Sequence, residues 1–313
     1  MKTAIPFHWQ FHFPVVVLML LSITTVSHAA VAPVSSSASF YIVAHEDDWQ
    51  LFMGVASWND VQLGNTNKVV FIHTTAGDGG VGTGTKGQPK PYYQARENGA
   101  NRAVSFLANL GQAGATVTDA WVNLNHKNLE RLSYKNTVTY FLRLPDGNGS
   151  GVGFQTTGYQ SLQRLYSGQI ATMTAIDNKL VINGWTDMVN TLNAIIRYEA
   201  QTATKVSINI TDPDTTLNPI DHSDHHYTAL ATQEAIVAFP CINQILYKTY
   251  YINQLPVNLN QADQWKHAAL WGVTTSAIAD AFQVSTWGPD HNKWLGHEYS
   301  RVINGNGKAC VIK

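Results

Sequence analysis

The stretch Tyr41–Phe52, YIVAHEDDWQLF, decides how the rest of the chain is read. An unbroken apolar run ends in His45, the acids Glu46, Asp47 and Asp48 follow at once, and apolar residues then resume at helical spacing in DWQLFMGVASWNDVQ. A continuous apolar run suits a parallel strand covered on both faces. The change of period directly after it describes a strand, a tight turn and a helix. Only 13% of the residues are charged, yet three carboxylates stand side by side at the strand end. Like charges so placed repel one another unless something positive sits among them.

Outward from this stretch the pattern repeats. KVVFIHTT (68–75) is a second continuous apolar strand, TAGDGGVGTGTKGQPKP is a Gly-rich loop, and YYQARENGANRAVSFLANLG reads as a helix closed by glycine. TVTDAWVNL is a third strand. From about 126 to 184 strand signals, Gly-rich turns and a short helix mix, and this region reads as an insertion. WTDMVNTLNAIIRYEAQ, KVSINIT, HSDHHYTALATQEAIVAF, INQILYKTYYI and QADQWKHAALWGVTTSAIADAF then alternate helix and strand. The expectation is an α/β fold: a Rossmann-like single domain over 39–313, with a mostly parallel sheet, helices on both faces and an inserted mixed segment.

Lys plus Arg number 20 against 21 for Asp plus Glu, so no global field favours nucleic acid as a partner. Lys2, an apolar core from about Pro14 to Val26 and the small-residue pattern Ser27-His28-Ala29 predict a secretory signal peptide over 1–29, with 30–38 as a linker. The apolar run falls short of the roughly 20 residues that span a bilayer. The expectation is a secreted or periplasmic protein with no stable membrane anchor once the signal is removed. In an oxidising compartment Cys241 and Cys310 are expected to pair.

A second polar cluster lies in TDPDTTLNPIDHSDHHYTA (211–229), after the strand KVSINIT and running into a helix. It holds the same topological place as the first, at the carboxyl end of a strand, where open α/β sheets bind ligands. Helix capping accounts for one acid per helix. It does not account for a histidine with three acids at one strand end and DHSDHH at another. A metal does: zinc takes imidazole and carboxylate ligands, three in a catalytic site, leaving one position open. His45 and Asp48, with His225 from the second cluster, are the expected ligands.

AHEDD (44–48) with HSDH (222–225) resembles the paired AHPDDE and HPDH motifs of the PIG-L/LmbE-like zinc-dependent de-N-acetylases. TTAGDGG (74–80) and YYQARENGANRA (92–103) are similar to that family's Thr-Gly-Asp-Gly loop and Arg-Glu helix. The resemblance implies one Zn2+ per chain, or another divalent ion, on His45, Asp48 and His225. It implies Asp47 as general base and His222 as the group that stabilises the oxyanion or protonates the leaving amine. Asp224 would orient a histidine, and Arg96 would lie near the substrate. Glu46 and Ser223 replace the motifs' prolines, Trp49 replaces a glutamate, and Ile220 stands where related sites carry a tyrosine.

The expected activity is removal of acetyl from an N-acetylated amino sugar of N-acetylglucosamine type, free or in an oligosaccharide, with Trp49 and the 126–184 segment as apolar and hydroxyl-binding walls. Alternatives are a non-catalytic exported protein binding metal or carbohydrate on the same fold, and the same hydrolysis of a non-sugar amide. Asp47 argues for the enzyme, since a binder has no use for an acid that is not a ligand. GDGGVG (77–82) matches a dinucleotide fingerprint but is not followed directly by a helix, and reads instead as a wall of the site. GPDHNKWLGHE, with His291 and His297, reads as surface or rim, His73 as a core histidine, and Trp185, Trp265, Trp271 and Trp287 as mostly core.

Overall fold

The computed structural model describes residues 36–110, 114–281 and 287–312. In chain order, β1 (Ser37–Val43) leads into the short helices α1 (Asp48–Phe52) and α2 (Gly54–Gln62), then β2 (Asn67–Thr75) and α3 (Tyr92–Asn109). β3 (Thr118–Leu124), β4 (Lys127–Tyr134) and β5 (Thr137–Leu144) follow, then α4 (Leu162–Tyr166), β6 (Thr172–Thr174), β7 (Val181–Asn183) and α5 (Trp185–Ala200). The rest is β8 (Lys205–Thr211), α6 (Ser223–Ile236), β9 (Asn243–Tyr247), α7 (Gln261–Asp280), α8 (Pro289–Trp294) and β10 (Ser300–Ile303). The main sheet has the order β10-β9-β8-β1-β2-β5-β4-β3. β9, β8, β1, β2 and β5 are mutually parallel; β10, β4 and β3 pair antiparallel at the two edges.

The uniformly apolar β1 is explained by cover on both faces. Successive strand side chains point to opposite sides: Phe40 and Ile42 enter one core with Leu192 and Ile196 of α5 and Ala229 of α6. Tyr41 and Val43 enter the other, with Leu51 and Phe52 of α1, Leu107 of α3 and Trp271 of α7. Full burial of each large apolar side chain stabilises by about 1.5–3 kcal/mol relative to exposure. The expected α/β layering is therefore present: a large, mostly parallel sheet flanked by helices.

Several expectations are corrected. The 126–184 segment is not an insertion throughout, because β4 and β5 belong to the main sheet and β5 lies beside β2. The β3–β4 hairpin turns on two residues with positive φ, Asn125 and His126, where the usual signal for such a turn is Asn-Gly, so the hairpin was not recognisable. Only the stretch from 145 to 184 lies outside that sheet. The proposed linker ends earlier than 38, since Ser37 and Ala38 already pair with β2 and β8. Trp271 is buried and Trp185 partly so, but Trp265 and Trp287 are exposed. The signal peptide lies outside the described residues. Among those described, no helix is long and apolar enough to cross a membrane.

Cys241 and Cys310 form a disulfide. The Cys310 amide also donates to Thr204 O at 2.9 Å, so the C-terminal tail is held beside the start of β8.

Candidate metal and catalytic site

The chain runs from β1 to β2 in one direction and later returns to place β8 on the other side of β1, so the sheet order switches between β1 and β8. A crevice opens outside the strand ends at such a switch point. His45 leaves β1 there, and His222 and His225 come from the loop and helix after β8. Ligand atoms of His45, Asp48 and His225 lie within 4.8 Å of one another, and all three residues are buried. His225 Nε2 is 3.0 Å from Asp48 Oδ1, and His45 Nδ1 is 3.6 Å from the same oxygen. Tetrahedral bonds of about 2.0–2.1 Å would set ligand atoms about 3.3 Å apart, so the spacing fits one ion.

Protonation supports the fit. His225 Nδ1 faces Asp221 Oδ1 at 2.6 Å and therefore carries its hydrogen, leaving the Nε2 lone pair for a cation. Burial works against a charged His225, but the carboxylates of Asp48 and Asp221 outweigh it and raise its pKa to about 10. His45 is likewise raised well above the ordinary imidazole value: burial opposes this, and Asp48 and then Asp224 overcome it. Burial alone would raise Asp48, yet His225 and His45 hold it well below the usual carboxylate range. The Asp48 carboxylate faces both imidazoles, an arrangement that suits a cation.

His45, Asp146, His222 and Asp224 form a second group of donors within 4.8 Å. There the tautomer decides differently. His222 caps α6, its Nδ1 accepting the Asp224 amide hydrogen at 3.1 Å, so in the neutral ring the hydrogen sits on Nε2. Burial and the neighbouring His45 push the pKa of His222 down to about 4, which keeps it neutral. A ring in that state donates from Nε2 and offers no lone pair to an ion. His45, Asp48 and His225 are thus the better ligand set, with His222 beside it as a hydrogen-bond donor.

Asp47 sits at the start of α1 without capping it, lines the same cavity and pairs with Arg96. Arg96 does line the cavity, but its guanidinium is engaged by Asp47, by Gly77 O at 2.7 Å and by Glu46 Oε2 at 3.2 Å, so it holds Asp47 in place. Glu46, where the resembled motif has proline, is buried under that guanidinium. Burial raises the Glu46 pKa well above the ordinary value, against the pull of Arg96. Gly77 makes the arrangement possible: its φ is +49°, and an added Cβ would lie 2.6 Å from Glu46 Oε2. Asp224 accepts the Gly147 amide at 2.8 Å and lies 3.5 Å from His45 Nε2, placing it behind His45.

Trp49 is corrected. It is fully buried, tilted against Phe71 at 4.5 Å, and takes no part in a substrate face. The apolar wall comes from elsewhere: Leu51, Phe52, Tyr250 and Trp294 line the cavity of about 180 Å³, and Tyr250 stacks on Trp294 at 4.9 Å. Burial and the acids Asp48 and Asp47 hold the Tyr250 phenol protonated. His291 also lines this cavity, fixed by a stack on Trp271 and by the Gly288 amide, which donates to its Nδ1 at 2.8 Å. His297 instead bonds backbone carbonyls, and His73 stays in the core, stacked on Phe141. The GDGGVG loop does border the site: Gly79 N donates to Asp146 Oδ2 at 3.2 Å, and the Asp146 amide donates to Asp78.

The residues missed in the sequence were Asp146, Asp221 as the partner of His225, and Tyr250; His291, read as surface or rim, lines the cavity. Asp146 had one available signal, an apolar run (TVTYFLRL) ending in Pro-Asp, which parallels His45 at the end of β1.

No protein-family model matches the chain, and no curated protein matches it. Similar solved structures include a 4-carboxy-2-hydroxymuconate hydratase from Pseudomonas putida, at 13% identity and TM-score 0.41, covering 83% of this chain and 82% of the other. The N,N'-diacetylchitobiose deacetylase of Pyrococcus horikoshii is similar at 14% identity and TM-score 0.41, covering 86% and 84%. The zinc-inhibited form of teicoplanin deacetylase Orf2 is similar at 13% identity and TM-score 0.36, covering 78% and 83%. Identities and TM-scores this low assign no activity, which leaves the chemistry to the residues of the site.

Proposed function

We propose that the chain is an exported, metal-dependent amidohydrolase of the PIG-L/LmbE-like type that removes acetyl from an N-acetylglucosamine-containing sugar. One observation carries the reading: Asp47 stands at the rim of the His45–Asp48–His225 cluster, held by Arg96, as an acid outside the ligand set. A divalent ion on those three ligands, zinc by the donor types, would polarise an acyl oxygen and acidify a water. Asp47 takes the proton from the attacking water. His222 donates from Nε2 to the acyl oxygen as charge develops there, and the proton held by Asp47 passes to the departing amine. The sugar assignment draws on the near-neutral chain, on the hydroxyl- and amide-rich 145–184 segment beside His222, and on the sequence resemblance.

The test is acetate release from N-acetylglucosamine and its oligosaccharides, with and without chelator, alongside elemental analysis of the purified protein. About one divalent ion per chain is expected. Asp47→Ala should keep that ion and lose roughly 10²–10⁴-fold in turnover, as removal of a general base does. His225→Ala should lose ion and activity together. Near wild-type turnover in Asp47→Ala would overturn the mechanism and favour a binding role.

A further inference from the structure

We infer that Glu46 is a positioning residue for the proposed reaction: acting through Arg96, it fixes where the Asp47 carboxylate stands beside the ligand cluster. The inference rests on Asp47 being the base, and the effect assigned to Glu46 is one of geometry alone.

Glu46 opposes stability where it stands. Its side chain is 1% exposed, and neither carboxyl oxygen accepts a hydrogen bond. Burying an unsatisfied carboxyl works against folding, and an apolar side chain of similar volume avoids that cost. Among the described residues its one ion pair is with Arg96, whose Nε lies 3.2 Å from Oε2. The acid is therefore explained by what it does to Arg96.

A guanidinium is a flat fork whose donors point in fixed directions. Arg96 Nη1 donates to Gly77 O at 2.7 Å, Nη2 pairs with Asp47, and Nε faces Glu46. The Tyr92 ring lies 5.6 Å from its Cζ. Without a group opposite Nε the fork is free to swing on its stem and carry Nη2 away from its present direction. The buried carboxyl closes that side. The loop is shaped to admit the pair, since at Gly77 an added Cβ would lie 2.6 Å from Glu46 Oε2 and 2.8 Å from Arg96 Cζ.

The turn itself supplies an independent reason. Position 46 is proline in the resembled motif, and a proline ring fixes φ and stiffens a turn from within. This chain has no ring there, and Asp47 makes no side-chain capping bond to α1, so its carboxylate is held by Arg96. The residue that replaces the proline reaches the same guanidinium. Its side chain restrains Asp47 from outside, in place of a ring restraining it through the backbone.

The experiment compares the metal-loaded full chain with Glu46→Leu, which keeps the volume and removes the acid. The variant should hold the same amount of metal and melt no lower than the wild type, because a buried unsatisfied group is gone. Its kcat on N-acetylglucosamine oligosaccharides should fall by up to about 100-fold at unchanged KM, as displacement of a reacting group by about 1 Å does. In an Arg96→Ala background the same substitution should have no further effect, since it acts through Arg96. Heteronuclear NMR adds a readout independent of turnover. The Arg96 Nε–H, identified by its absence in Arg96→Ala, should exchange slowly with solvent in the wild type and rapidly in Glu46→Leu. If no N-acetylated sugar is hydrolysed, the assigned reaction fails and this signal still decides whether Glu46 fixes Arg96. A wild-type kcat in Glu46→Leu, a melting temperature lowered enough to explain the lost rate, a further loss in the Arg96→Ala background or an equally protected Arg96 signal would each overturn the inference.

Discussion

Asp221, directly before the HSDH motif, orients the metal-facing imidazole of His225. Its Oδ1 meets His225 Nδ1 and also accepts from the Thr249 hydroxyl, while Asn218 donates to Oδ2 at 2.9 Å. The Thr249 hydroxyl, the Asn218 side-chain amide and the His222 backbone amide thus hold the carboxylate that fixes the tautomer of His225. Loss of such an outer partner typically costs 10–100-fold in metal affinity. Asp221→Asn is expected to weaken the binding of a divalent ion at His225 by about that factor while leaving the fold intact. Competition against a chromophoric chelator measures it, and an unchanged affinity would show that Asp221 does not orient the ligand. Helix capping was the rival reading of Asp221 in the sequence, but the cap of α6 is His222 itself.

Among the elements, the C-terminal segment is fastened to α2 by Glu298, whose carboxyl oxygens accept the Val55 and Ala56 amides at 2.7 and 3.0 Å. Burial raises its pKa to about 7 in spite of those two donors. Between the ordinary value of 4.5 and about 7 the folded state therefore holds a proton that the unfolded chain releases. The stability this supplies is complete below the ordinary value and is lost as pH rises through 7. Thermal melts of wild type and Glu298→Gln at a series of pH values are expected to diverge over that window, with the wild type falling relative to the variant. Parallel curves would contradict the assignment. Element identity was legible in β1 and β2 as continuous apolar runs and in α5 as one dominant helical period. It failed at β4 and β5, where the turns lack their usual residues and the segment was taken for an insertion.

On the scale of the molecule, the Cys241–Cys310 bridge closes a loop of 69 residues that contains α7, α8 and the cavity-lining His291 and Trp294. In the chain-entropy model a loop of that length stabilises by about 4 kcal/mol, and strain or residual structure reduces the figure in practice. Cys310→Ser should lower the melting temperature, because the loop that carries α8 and its part of the cavity wall is then no longer closed. A variant as stable as the wild type would mean that β10 pairing and the Thr204 contact hold the tail without the bridge.

The His45–Asp48 pair and the α/β layering could be read from the chain alone, because each depends on spacing within one strand–turn–helix unit; the addition of His225 drew on two such units and on the paired motifs of the resemblance. The adjacency of two such units follows from the rule that ligands gather at strand ends where the order switches. Asp146, Tyr250 and His291 belong to strand ends and a helix far away in sequence, and no local pattern encodes which strand lies beside which. Trp49 shows the same limit in reverse: one position after two site acids, the helical turn carries it away from the cavity and into the core against Phe71. Packing of α1 on the sheet decided that, and only the tertiary structure contains it.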